Sequence, residues 1–257
     1  MQERLINNIA MRTLNIFIIG LLSATLLSSA QSCRTYSDQT SQEVPAKGKI
    51  KKSYYVAPFD AIELSGVANV TFSQSDKVKV EATGPENFLP FVVIESHDGV
   101  LRVNTRKLEN KRSVKGIDIK ISAPHLNRIS NRGVGSFRTT SPLKTSALTV
   151  DNAGVGSVQL KNIECEHLKA NNTGVGNMTL SGKVQTAEYK SSGVGDMNAK
   201  ELKAQDVDLR HSGVGDITCH AGETIRIQSK GVGDVVYYGN PRVLSQTKKG
   251  VGSLISK

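Results

Sequence analysis

The tripeptide Gly-Val-Gly occurs seven times in the second half of this chain, starting at Gly133, Gly154, Gly174, Gly193, Gly213, Gly231 and Gly250. Successive copies are 21, 20, 19, 20, 18 and 19 residues apart. A period of this size predicts a stack of similar β-solenoid coils, none of which can bury its apolar face alone. When the first Gly of each copy is position 0, position +4 is apolar throughout: Phe137, Val158, Met178, Met197, Ile217, Val235, Leu254. Position +6 is mostly apolar or small, as in Leu160, Leu180, Ala199, Cys219 and Tyr237. Positions −6 and −4 repeat the alternation in Leu148/Val150, Leu168/Ala170, Ala187/Tyr189, Val207/Leu209 and Ile225/Ile227. Period-2 alternation on both sides of the glycines gives each coil two or three short strands with one buried face. The invariant Val, being β-branched, is expected to point inward.

The glycines are expected at corners. Coils stack about 4.8 Å apart, and a Cβ at a sharp turn would strike the coil beside it or demand a left-handed backbone. Turn pairs at Lys161-Asn162, Ser181-Gly182 and Gly239-Asn240 mark further corners. An eighth copy is disguised at Gly66-Val67-Ala68, followed by Asn69 at +3, Val70 at +4 and Phe72 at +6. Between it and Gly133 lie alternating segments at 77–81, 100–104 and 117–121, with a hairpin-like His97-Asp98-Gly99. Residues 51–130 therefore read as an N-terminal antiparallel β section with the first coil, capping a solenoid of residues 131–257 against edge-to-edge aggregation. No window carries a sustained 3.6-residue pattern, so helix should be scarce.

The first 32 residues read as an export signal. Arg4 and Arg12 precede an apolar run from Ile16 to Leu27, and small residues follow at Ser28, Ser29 and Ala30. Two cleavage readings stand. Ser28-Ser29-Ala30 would release a chain starting at Gln31, and Ala30-Gln31-Ser32-Cys33 is a loose lipobox that would place a lipid anchor on Cys33. Residues 33–50 are polar and aperiodic, as expected of a flexible linker. Cys165 and Cys219 fall at different coil phases and cannot form a disulfide framework. Cys219 occupies the phase of Leu160 and Leu180 and is expected as a small buried residue.

Three features could carry chemistry. Position +3 is always short and polar, and Asp196, Asp216 and Asp234 occupy it in three successive coils. They are weak candidates for a Ca²⁺ site or for paired acid–base carboxylates, against the plainer expectation that each caps its own turn. Asn131, Asn152 and Asn172 share position −2 and suggest a stacked amide ladder. His211, in the same column, reads as a surface or turn residue. The chain carries a formal charge of +10, and residues 99–132 alone hold nine Lys and Arg against Glu109 and Asp118. Within them Arg106, Lys107, Lys111, Arg112 and Lys115 form a candidate anion-binding loop, with a solvated edge-blocking loop as the plainer expectation. Trp is absent and Tyr scarce, so there is no aromatic platform for sugars or single strands, and no nucleic-acid partner is expected.

Phe59-Asp60-Ala61-Ile62-Glu63-Leu64-Ser65-Gly66-Val67, His97-Asp98-Gly99-Val100-Leu101-Arg102-Val103 and the Gly-Val-Gly array together resemble the head GIN domain, a Gram-negative family labelled autotransporter adhesins. The resemblance runs over about residues 53–257. It implies an exported, right-handed parallel β-solenoid and supplies no catalytic residues to carry over. No membrane-anchoring β-barrel is evident, which favours a lipoprotein or free exported protein. The expected function is a non-enzymatic envelope module, at the cell surface or in the periplasm, that binds a surface glycan or protein. It would need no cofactor, touch the membrane only through an anchor at Cys33, and could self-associate. The alternatives are a carbohydrate-active enzyme using the Asp column and a purely structural envelope protein.

Overall fold

In a computed structural model, the structure describes residues 48–106 and 116–257, all within one compact unit spanning 43–257. The chain forms β1 (Lys49–Tyr54), β2 (Ala61–Leu64), β3 (Asn69–Gln74), β4 (Lys79–Pro85), β5 (Val92–His97), β6 (Val100–Thr105), β7 (Asp118–Ala123), β8 (Arg128–Asn131) and β9 (Phe137–Thr139). It continues through β10 (Leu143–Lys144), β11 (Ala147–Asn152), β12 (Val158–Asn172), β13 (Met178–Ser191), β14 (Met197–His211) and β15 (Ile217–Ser229). The last strands are β16 (Val235–Tyr238), β17 (Arg242–Lys248) and β18 (Leu254–Ser256), and one 3₁₀ turn covers Leu89–Phe91. The fold is an all-β solenoid of parallel coils about 20 residues long.

Each coil from β12 to β15 is nearly one continuous strand that pairs in parallel with the next, as in Val158↔Met178↔Met197↔Ile217↔Val235. The turns expected at Lys161-Asn162 and Ser181-Gly182 are bends inside this ladder rather than breaks. Asn162 has φ 55° and Gly182 φ 133°, and the register shifts at both places. The core runs along the inside of the stack. Positions −6, −4, +4 and +6 are buried from β11 to β16, with Tyr189 as its largest side chain. Burial pushes the Cys165 thiol up to about 11 and the Cys219 thiol to about 12, and the two remain unbridged.

The Gly66 copy is a true coil: Val67 pairs with Val134 just as Val134 pairs with Val155. The section before the repeats differs from an antiparallel cap. Antiparallel pairing joins β1–β4, β4–β7 and β5–β6, but β6 and β7 run parallel beneath β2 and β3 as a terminal coil of their own. β2 is thus bracketed in register, with Ala61 facing Val100 on one side and Arg128 on the other. This coil escapes a repeat search because the sequence between β6 and β7 contains no Gly-Val-Gly. Ala68 holds the place of the second glycine in the Gly66 coil; in every later coil, a Cβ there would point at the backbone of the preceding coil.

Candidate functional site

The corner edge carries the feature that sequence reasoning placed wrongly. Val134, Val155, Val175, Val194, Val214 and Val232 are each about half exposed, from 49% to 53%, and Val251 reaches 70%. They point outward, not into the core. The reason is parity: inward positions are even (−6, −4, −2, +4, +6), and the backbone keeps period 2 through the corner, so +1 faces solvent. The alternation on either side already contained this signal.

Eight valines, from Val67 to Val251, form one continuous parallel ladder. Each valine N–H donates to the first-glycine carbonyl of the preceding coil, as in Val194 N to Gly174 O at 2.9 Å. Each second-glycine N–H donates to the valine carbonyl of the following coil, as in Gly195 N to Val214 O at 2.8 Å. At the first coil, Thr105 Oγ1 accepts the Val67 N–H at 3.2 Å. The valines are thus locked about 4.8 Å apart in single file, roughly 34 Å from end to end. Position −1 in the central coils is Ala153, Thr173, Ser192 and Ser212, all short and exposed, so no long charged side chain screens the ridge. Arg132 lies near one end, and Lys230 and Lys249 near the other.

On the other flank stands the +3 column. Asn177 Oδ1 accepts the Asp196 N–H at 2.9 Å, Asp196 Oδ1 that of Asp216 at 2.9 Å, Asp216 Oδ1 that of Asp234 at 2.7 Å, and Asp234 Oδ1 that of Ser253 at 2.6 Å. Each side chain therefore caps the next coil, not its own turn. Among the described residues, no group of three or more His, Cys, Asp and Glu is arranged to hold a metal ion. The acceptor role is independent of charge, since Asn177 performs it as an amide. Asp216→Asn should keep the bond and relieve repulsion from Asp196 and Asp234, raising stability by up to about 0.5 kcal/mol, while Asp216→Ala should cost about 1 kcal/mol. Urea midpoints compare the two variants; a larger loss in Asp216→Asn would mean that the charge itself binds something.

Behind the corner, Asn131, Asn152 and Asn172 form the expected ladder. Asn131 Nδ2 donates to Asn152 Oδ1 at 2.9 Å, and Asn152 Nδ2 to Asn172 Oδ1 at 3.0 Å. Ser191, His211 and Ser229 continue the column. His211 is buried at 1% exposure rather than lying at the surface, and neither of its ring nitrogens has a hydrogen-bond partner. Gly231 makes room for it, because a Cβ there would lie 2.6 Å from His211 Nε2.

A second outward face forms a 450 Å³ groove lined by Lys169, Glu188, Asp206, Asp208, Arg210 and Arg226, among others. Its carboxylates are engaged: Glu188 with Lys169 at 3.5 Å, Asp208 with Arg210 at 3.2 Å, and Asp206 with the Thr224 hydroxyl. Of the candidate anion-binding loop, Arg106 is described and donates its N–H to Phe91 O at 2.8 Å. Lys107, Lys111, Arg112 and Lys115 lie outside the described residues, as does Cys33. No helix among the described residues is long and apolar enough to cross a membrane.

The model of a family described as putative auto-transporter adhesin, head GIN domain, matches residues 58–241. A crystal structure of a putative adhesin from Bacteroides fragilis is 35% identical with a TM-score of 0.80, over 83% of this chain and 99% of that one. A putative adhesin from Parabacteroides merdae is 21% identical with a TM-score of 0.62, over 84% of this chain and 99% of that one. A putative lipid binding protein from Parabacteroides distasonis is 21% identical with a TM-score of 0.66, over 83% of this chain and 99% of that one. At these lower identities the likeness is one of fold alone. None of the curated proteins matches the chain.

Proposed function

The chain belongs to the head GIN domain family, and from that premise we propose that it is an exported, non-enzymatic envelope protein whose valine edge binds a partner protein. One observation carries the reading: a side chain invariant in eight coils is half exposed or more in seven of them, from Val134 to Val251. Keeping a solvated corner open does not require an apolar residue there, whereas a contiguous apolar strip on a soluble surface is characteristic of a contact site. The strip is narrow, straight and rigid, and it lacks aromatic rings. A shallow apolar groove on a protein suits it better than the face of a sugar ring. The family's adhesin label and the 35%-identical putative adhesin support the same class of function.

Export is part of the proposal, with either an acylated Cys33 or a free N-terminus at Gln31. Intact mass of the natively expressed protein, together with protease treatment of whole cells, tests it. A diacyl or triacyl mass on Cys33 with cleavable repeats, or the mass of a chain starting at Gln31, is the expected result, and an unprocessed, cell-internal chain would contradict the reading. Binding is tested on immobilised matrix proteins, glycans and envelope fractions. Retention by a protein fraction supports the ridge as a protein-contact site, and a blank panel counts against it.

A further inference from the structure

The outer face near the terminal coil carries a second site, four residues beyond the valine ridge along the same coils. β7, β3 and β9 lie side by side there, with Lys120, Thr71 and Arg138 in direct register. With Ser73, Ser122 and Thr140 they line a 380 Å³ concavity. Neighbouring strands are about 4.8 Å apart, so the Lys120 and Arg138 side chains rise on either side of the Thr71 hydroxyl and are long enough to reach over it.

The hydrogen-bonding capacity of this concavity is one-sided. Glu81 stands opposite Lys120 in β4, but its carboxylate is occupied by Lys51 Nζ at 2.7 Å and Lys79 Nζ at 3.1 Å. The hydrogen bond from Lys51, joined by that from Lys79, holds this carboxyl below its ordinary range. Lys120 and Arg138 are left with no carboxylate partner among the described residues. Arg138 Nε donates to Thr71 Oγ1 at 3.0 Å, which fixes the guanidinium beside β3 and leaves its two terminal nitrogens free. Thr71 accepts that bond and so retains its own proton to donate. Ser122 and Thr140 are committed to backbone carbonyls, Lys77 O at 2.9 Å and Phe72 O at 3.3 Å. What remains are four donor groups: the Lys120 ammonium, the Arg138 terminal nitrogens, and the Thr71 and Ser73 hydroxyls. The one carboxylate is already shared by two lysines. Clustered donors around a rigidly placed guanidinium, with positive charge in excess, suit a tetrahedral oxyanion with several acceptor oxygens.

We propose that Lys120, Thr71, Ser73 and Arg138 form a binding site for a phosphate or sulfate group, carried by a lipid headgroup or by a polysaccharide. The site lies on strands, so its donors are preorganised. It is also exposed to water, so a free inorganic ion should bind only with millimolar affinity and a polyvalent carrier more tightly through repeated contacts.

The test is a nitrogen-edited NMR titration of the full folded chain with sodium sulfate and with sodium phosphate, against sodium chloride at matched ionic strength. Saturable shifts confined to the amides of Thr71, Ser73, Lys120 and Arg138 and to the Arg138 Nε–H are expected. Arg138→Gln and Lys120→Gln should each weaken binding about tenfold with the fold unchanged, and Arg226→Gln in the other groove should not. Retention on phosphatidylglycerol vesicles or on a sulfated dextran, each reduced by Arg138→Gln, would identify the carrier. Unsaturable shifts spread over all surface cations, or affinity unchanged in both Gln variants, would overturn the proposal.

Discussion

Gly195→Ala is expected to lower the melting temperature by about 10 °C or to prevent folding. Gly195 sits in a central coil with φ 131°, and an added Cβ would lie 2.4 Å from Gly176 O. That obstacle is backbone held in the ladder, so no rotamer change relieves it. The strained dihedral and the forced separation of two coils together cost roughly 3–5 kcal/mol. For a domain of this size that corresponds to about 6–20 °C. Because stability in a stacked repeat is a sum of coil and interface contributions, position matters. Gly252→Ala meets a similar clash, 2.1 Å from Gly233 O, but in the last coil, which can separate from the stack, so it should cost less. Ala68→Gly should cost only about 1 kcal/mol, since it removes a buried methyl but introduces no clash. Thermal unfolding of the three variants checks the order; equal losses would mean that the corners do not set the coil spacing.

Asn152→Ala is expected to cost about 3–4 kcal/mol. Asn152 is fully buried; its Oδ1 accepts from Asn131, and its Nδ2 donates to Asn172 Oδ1 and, at 3.3 Å, to Gly156 O. Truncation orphans buried groups on both neighbouring coils and leaves a void. Ser191→Ala removes a hydroxyl from the same buried column, but that Oγ has no partner, so it should cost less than about 0.5 kcal/mol. Chemical denaturation separates the cases. Similar losses for both would mean that the amide ladder contributes no more than its volume.

Much of the architecture was legible because repetition averages out local ambiguity. One apolar column such as Phe137-Val158-Met178-Met197-Ile217-Val235 constrains strand, face and register together, and Gly66-Val67-Ala68 could be aligned to it despite the missing glycine. The terminal coil was hidden because β6 and β7 lack the corner tripeptide and pair with strands that precede them in the chain. The valines were placed inside because β-branching was weighed above parity, although Leu148 and Val150 on one side and Val158 and Leu160 on the other fix +1 as an outward position. His211 was misplaced because residue type outweighed column membership: the column of Asn131, Asn152 and Asn172 is buried, and His211 belongs to it. The Lys120–Thr71–Arg138 row was only partly signalled in the sequence. Thr71 and Arg138 share position +5 of neighbouring copies, but Lys120 belongs to the coil without the tripeptide, and which cations remain unpaired depends on Lys51 and Lys79 reaching Glu81.

The most direct test of the valine edge as a binding surface is the affinity of the triple variant Val175→Thr, Val194→Thr, Val214→Thr for a protein ligand that the wild-type chain retains. Threonine keeps the β-branch and the shape while making the centre of the ridge polar, so the melting temperature should stay within a few degrees. Affinity should fall at least a hundredfold, about 2.7 kcal/mol, as expected when the centre of an apolar contact is lost. Undiminished binding by a folded triple variant would contradict the account and move the contact surface to another face of the solenoid.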